Sequence, residues 1–229
     1  MANKTVVIVG AGPGLGLGIA RRFGREKFNV GLICRSGDKG RQYTEALAKE
    51  SITAASWVGD VSDEASIARA FREIEQRFGA VEVLEYSPVN IPSDPAGFAG
   101  LDVTSMTPSR VQKEFGVMAL GAVTSVSQVL PGMLARNSGA IFITTGISAQ
   151  VYLPMVGAWG MAGAAARNYA LTLGAAVRDR GIFVSTICIG VKIQKGDALG
   201  DPDTLADLYY ALYRDRDRTD ILIAPPPAK

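Results

Sequence analysis

The chain contains no histidine. That absence removes Ser-His-Asp triads, helical zinc sites built on two histidines, and any imidazole acting as general acid or base. Chemistry must then come from a cofactor, a tyrosine, a lysine, a carboxylate or a hydroxyl. Cysteine is almost absent as well: Cys34 and Cys188 are the two thiols, each inside an apolar run. Two such residues make no disulfide framework and read as buried thiols in a reducing cytosol. An excess of one charge is missing, since 24 Lys and Arg stand against 22 Asp and Glu, a formal +2, with no basic block. That balance gives no electrostatic footprint for nucleic acid or for a membrane surface. Apolar runs stay short of the roughly 20 residues of a membrane span. Residues 1–4 lead straight into the first such run, so no signal peptide is expected. No cluster of metal-ligating side chains stands out, so no metal is expected. These exclusions leave a cytoplasmic protein whose partner is a small molecule.

What is present is apolar and periodic. With 229 residues and 48% apolar content, the chain reads as one domain over 1–229 with a substantial core and a proline-rich tail at 225–229. Short Val/Ile-rich runs at 5–9, 29–34, 53–58, 81–85, 140–145, 182–189 and 221–224 read as strands. Helical segments follow them to residue 25 and over 39–50, 63–78, 108–134, 159–177 and 203–213, with 88–108 a loop. Ile67, Ala70, Phe71, Ile74 and Phe78 show the helical spacing. Continuous rather than alternating apolar strands imply burial on both faces. Strand-helix alternation then implies right-handed crossovers and a parallel sheet in an α/β fold.

The first strand runs into Gly10, Gly12, Gly14, Gly16 and Gly18, and a helix opens there. Glycine lets the backbone turn sharply and approach a pyrophosphate, while the helix N-terminus offers free N–H groups and partial positive charge. Gly10, Gly14, Leu15 and Gly16 are the expected phosphate-binding residues. An acid at the end of the second strand would hold a ribose 2′-OH and repel a 2′-phosphate. That position is Cys34, followed by Arg35, Ser36 and Lys39. A guanidinium can pair bidentately with a 2′-phosphate, so Arg35 and Ser36 point to NADP(H) rather than NAD(H).

The spacing Gly10, Gly14, Gly16 resembles the short-chain dehydrogenase/reductase family, and the resemblance covers nearly the whole chain. It implies a Rossmann-type, doubly wound, seven-stranded parallel sheet with helices on both faces and the cofactor across the strands' carboxyl ends. Asp60 and Val61 match the family's Asp-Val beside the adenine. Ile189 and Gly190 stand where the family has Pro-Gly beside the nicotinamide. The segment from Tyr86 to Val89 replaces its Asn-Asn-Ala-Gly, which adds Ser87 to the cofactor contacts, and Lys192 follows on the far side. The family's catalytic residues are not carried over. Its Tyr and Lys positions hold Trp159 and Gly163, its Ser falls at Gly146, and its Asn at Met118. An indole N–H does not titrate. Loss of a positioned proton donor typically costs ~10²–10⁴ in rate.

Replacement donors are sought on the segments bordering the nicotinamide: Ser148, Tyr152 and Tyr86, with Tyr152 first and Ser148 beside it. The plainer reading of Tyr152 is an amphipathic loop residue lining a pocket wall. The alanine-rich helix would lie at a subunit face, giving a homodimer or homotetramer. Three functions remain open: an NADP(H)-dependent oxidoreductase acting on a carbonyl, imine or activated double bond of an apolar small molecule; a catalytically silent NADP(H)-binding sensor or scaffold; or a non-redox lyase or cyclase on the same fold.

Overall fold

The strands are apolar along their whole length because both of their faces are covered. The computed structural model describes residues 3–92 and 94–225, so the expected tail lies outside the described residues from 226 on. β1 (Thr5–Val9), β2 (Asn29–Cys34), β3 (Ala54–Val58), β4 (Val81–Tyr86), β5 (Gly139–Gly146), β6 (Ile182–Ile189) and β7 (Asp220–Ile223) form one sheet in the order β3-β2-β1-β4-β5-β6-β7. Every pairing is parallel.

Helices α1 (Leu15–Arg25), α2 (Gly37–Lys49), α3 (Glu64–Phe78), α4 (Pro95–Ala99), α5 (Pro108–Phe115), α6 (Gly121–Arg136), α7 (Gly157–Val177) and α8 (Pro202–Asp215) complete the fold. Ile19 and Phe23 of α1, Leu47 of α2 and Leu205 and Leu212 of α8 pack on one face around Ile8, Leu32 and Phe142. Ile67 and Phe71 of α3, Val126 and Met133 of α6 and Ala162 and Ala166 of α7 cover the other around Val7, Leu84 and Ile141. The doubly wound α/β expectation is met, with seven strands in one sheet.

Departures from the sequence reading are local. The loop over 88–108 carries the short helix α4, capped by Asp94, whose carboxylate accepts from the Gly97 N–H at 2.7 Å. The expected helix over 108–134 is interrupted by a π-helical turn, Gly116–Leu120, in which the Gly121 N–H donates to the Gly116 carbonyl five residues back. Such turns widen a helix and leave backbone groups in need of partners. Here the Tyr86 hydroxyl, at the end of β4, donates to the Val117 carbonyl.

The α5-to-α6 run also corrects an expectation. Residues 108–136 form one helical stretch that is long and apolar enough, by length and composition, to cross a membrane. Apolar runs counted residue by residue miss it because polar side chains interrupt them. In this fold Val117, Ala122, Val126 and Met133 on that stretch face the core.

Tyr86 is 1% exposed, and burial pushes its phenol far above the ordinary range. It is therefore a fixed donor to the backbone rather than a proton source. Tyr86→Phe should strand the Val117 carbonyl and lower stability by about 1–3 kcal/mol, measured by urea denaturation. An unchanged midpoint would mean that the π turn does not depend on the bond.

Candidate functional site

The strand order reverses between β1 and β4, and in such sheets the crevice outside the strand ends at that reversal receives ligands. Gly10 ends β1 with φ +83°, and a Cβ there would stand 2.8 Å from the Pro88 nitrogen at the end of β4. Only glycine satisfies both the backbone and the approach. The Gly10 and Ala11 N–H groups donate to the Ile33 carbonyl at 3.0 and 3.3 Å, tying the turn to β2. A Cβ on Gly16 would come 3.0 Å from the Ala11 Cα, so Gly16 lets α1 fold back over the turn. No side chain caps α1, and its first turn carries no acid, which leaves N–H groups and a positive helix end toward the crevice.

The crevice holds two adjoining compartments of about 520 and 510 Å³, which share Gly10, Gly12, Ser87, Pro88, Val89 and Ile91. Arg35, Ser36, Lys39, Asp60, Val61, Asn90 and Lys113 line the first. Leu15, Gly16, Met118, Thr144, Thr145, Ser148 and Trp159 line the second. The fold thus brings together Gly10, Leu15, Gly16, Arg35, Ser36, Asp60, Val61, Ser87 and Ser148 from the sequence-derived set.

Four expected site residues fall elsewhere. Gly14 is the N-cap of α1 and lines neither compartment; a Cβ on it would meet the Ile193 Cγ2 at 3.2 Å. The open approach is at Gly12, where an added Cβ meets nothing within 4 Å. Gly190 is needed for packing, since a Cβ would press into Ile147, and its N–H donates to the Ile223 carbonyl at 2.7 Å. Its neighbours Ile189 and Val191 line the second compartment instead. Lys192 is exposed and lines neither compartment. Tyr152 is 98% exposed and lies outside both. A phenol in solvent cannot serve as the surrogate donor, because the segment turns outward before α7 begins.

Lys113 was not legible in the sequence. It sits on α5, far along the chain from Arg35 and Lys39, and only the topology brings the three cations to one compartment. Arg35 donates to the Asn90 Oδ1 at 3.4 Å. The other end of that amide, the buried Asn90 Nδ2, has no partner among the described residues.

Among the described residues no charged side chain and no tyrosine lines the second compartment. Trp159 forms part of its wall and donates from Nε1 to the buried Glu114 Oε2 at 3.1 Å. Arg110 Nε stands 2.9 Å from the other Glu114 oxygen. The indole is thereby held as a wall rather than offered as a donor. Gly163 packs one turn on: a Cβ there would lie 3.2 Å from the Ala149 Cβ and 3.5 Å from the Met118 Cε, so Gly163→Lys would require those neighbours to give way.

Residues 4–193 match the short chain dehydrogenase family. The chain belongs to that family. Curated relatives include the oxidoreductase asL5 of Sarocladium schorii, 26% identical over 204 residues, spanning 88% of this chain and 78% of the relative. A 2-(S)-hydroxypropyl-CoM dehydrogenase of Xanthobacter autotrophicus is 26% identical, spanning 86% of this chain and 74% of the relative. Among solved structures, a metagenomic short-chain oxidoreductase in complex with NADP superposes with a TM-score of 0.84 at 20% identity, covering 99% of each chain. The L-sorbose reductase of Gluconobacter frateurii, complexed with NADPH and L-sorbose, gives 0.84 at 20% identity over 98% of this chain and 96% of that one.

Behind this short chain dehydrogenase crevice lies a carboxyl that the sequence reading passed over. Glu85, on β4, is fully buried, and its oxygens accept from the Thr144 hydroxyl at 2.8 Å and the Ser87 hydroxyl at 3.1 Å. The Thr144 hydroxyl also lies 2.6 Å from that of Tyr209 on α8. Burial pushes the Glu85 carboxyl up to about 7, against the pull of the two hydroxyls. The available signal was an acid in a strand otherwise built for burial on both faces.

Two outcomes follow. Gly12→Val should fold as the parent does and lose binding of any ligand that spans both compartments, since its side chain enters their shared space. Retained affinity by calorimetry would show that the turn is structural only. Glu85 is raised from its ordinary value of 4.5 to about 7 in the folded chain, so between those pH values the folded state binds the extra proton. Stability should therefore fall as pH rises from about 4.5 to 7, by up to ~3 kcal/mol. Glu85→Gln should flatten that part of the profile in denaturation experiments across the range.

Proposed function

We propose that the chain is an NADP(H)-dependent oxidoreductase acting on a carbonyl, imine or activated double bond of an apolar small molecule. The observation that carries the cofactor is the chemistry of the first compartment: Arg35, Lys39 and Lys113 converge there, and the end of β2 carries the buried thiol Cys34 where an acid would repel a 2′-phosphate. The orphaned Asn90 Nδ2 is a further donor at that end in need of an acceptor. Gly12 leaves the turn open to a pyrophosphate, and Asp60 and Val61 border the place of the adenine. The NADP and NADPH in the two similar structures support the same choice.

Bound in this way, a nicotinamide supplies the hydride. The chain's own part is to exclude water with Met118, Trp159 and Ile189, to hold an apolar substrate against them, and to place the Ser148 hydroxyl at the reacting end. The site is atypical for the family, with Trp159 and Gly163 in place of the Tyr and Lys that its resemblance calls for. That same feature favours a second reading, a catalytically silent NADP(H)-binding sensor or scaffold, because no titratable side chain lines the second compartment among the described residues. The functional unit is a cytoplasmic homodimer or homotetramer, and the exposed Leu120, Val123 and Met161 offer apolar surface for the subunit contact.

NADPH should bind at least about tenfold more tightly than NADH, roughly 1.4 kcal/mol. Arg35→Asp should narrow or reverse that preference, and Lys113→Ala should weaken NADPH severalfold while sparing NADH. Calorimetry with both nucleotides checks it, and equal affinities in the parent chain would overturn the cofactor choice. Absorbance loss of NADPH over a panel of carbonyl and imine compounds separates the two readings: turnover identifies the oxidoreductase, and tight binding without turnover identifies the silent binder.

A further inference from the structure

A crevice for redox chemistry needs a proton as well as a hydride, and among the described residues no titratable side chain lines the second compartment. The proton-holding group lies one layer behind. Ser87 and Thr144 both line the second compartment, and both turn their hydroxyls back onto the two oxygens of Glu85. We propose that Glu85 is the proton store of this compartment, exchanging one proton with a ligand there through the Ser87 hydroxyl, with Thr144 and Tyr209 fixing the carboxyl from the other side. Glu85 acts through Ser87 and does not itself touch the ligand, so its role is that of a positioning residue.

The surroundings are arranged for a carboxyl that changes charge. Ile8 on β1 and Phe142 on β5 are its in-register strand neighbours, and both are apolar. Thr144 on β5 and Tyr209 on α8 are the polar groups facing it, and burial holds the Tyr209 phenol protonated well above the ordinary range. The buried Cys188 thiol on β6 bonds instead to Thr145 and Gln150. No ion pair to Glu85 exists among the described residues. A carboxylate fixed by an ion pair would resist protonation; this one is held only by hydroxyls, which can donate to a carboxylate or accept from a carboxylic acid.

The proton step balances in the direction of reduction. Protonated at Oε2, Glu85 donates to the Ser87 Oγ, and Ser87 passes its own hydroxyl proton to the substrate oxygen or nitrogen. With a nicotinamide bound, that atom would take the electron pair of its double bond while the cofactor supplies hydride to the carbon. Glu85 would then be a carboxylate, with the oxidised, cationic nicotinamide held in the same crevice, and would recover its proton from solvent. A cation near a buried carboxyl favours its ionised form. The reduced cofactor should therefore bind with more protons on the chain than the oxidised one.

The inference rests on the NADP(H) reading, and one experiment tells their failures apart. NADPH and NADP⁺ are each titrated into the full chain by calorimetry near pH 7, in buffers of different ionisation enthalpy, which yields protons taken up per nucleotide bound. Uptake should be greater with NADPH than with NADP⁺, and the difference should vanish in Glu85→Gln and survive in Tyr152→Phe. If neither nucleotide binds, the cofactor reading fails. If both bind with equal proton counts, or the difference persists in Glu85→Gln, the proton store is overturned alone. Should Glu85→Gln not fold, the infrared difference between the two parent complexes decides: a protonated-carboxyl band stronger with NADPH supports the store, and its absence overturns it.

Discussion

Gly10 and Pro88 meet at the point where the sheet stops growing toward β3 and begins to grow toward β7, and their contact sets the geometry of the crevice. The left-handed backbone at Gly10 lets β1 turn away over the end of β4 without a side chain between them. Every wall of the two compartments is then referred to that junction. The turn supplies Gly12 and Gly16, the end of β2 supplies Arg35, and the end of β4 supplies Ser87. Any residue larger than glycine at position 10 would push the two strand ends apart and open the crevice at its centre.

The crevice divides its chemistry unevenly. One half is cationic, with three basic side chains and an amide nitrogen that has no partner among the described residues. The other is apolar, with hydroxyls as its polar groups. Charge at one end and exclusion of water at the other suit a ligand that is anionic at one end and reactive at the other. The polar groups of the apolar half are placed in pairs: Trp159 is tied back to Glu114, and Ser87 and Thr144 are tied back to Glu85. Each pair buries a carboxylate behind the wall, but they differ in kind. Glu114 has Arg110 beside it, whereas Glu85 has only hydroxyls, which is why burial raises Glu85 so far.

Much of the fold was legible before any coordinates. The alternation of apolar strands with amphipathic helices identified the parallel sheet, because a strand buried on both faces leaves a continuous Val/Ile signature. The glycine turn after β1 identified the crevice, since backbone conformations open to glycine leave their mark as glycine. The π turn over 116–120 was not legible, because the hydroxyl that meets its Val117 carbonyl lies on β4, 31 residues away in sequence.

What the sequence determined by itself is therefore the local and periodic part: the strands, the glycine turn, and the absence of any histidine chemistry. Tertiary structure decided which side chains share a cavity. It sent Tyr152 into solvent, moved the open position of the turn from Gly14 to Gly12, and brought Lys113 to the compartment that Arg35 lines. It also made Glu85 a buried acid rather than a surface one. Burial and proximity depend on the crossing of chain segments remote in sequence, and neither spacing nor composition encodes which segments will cross.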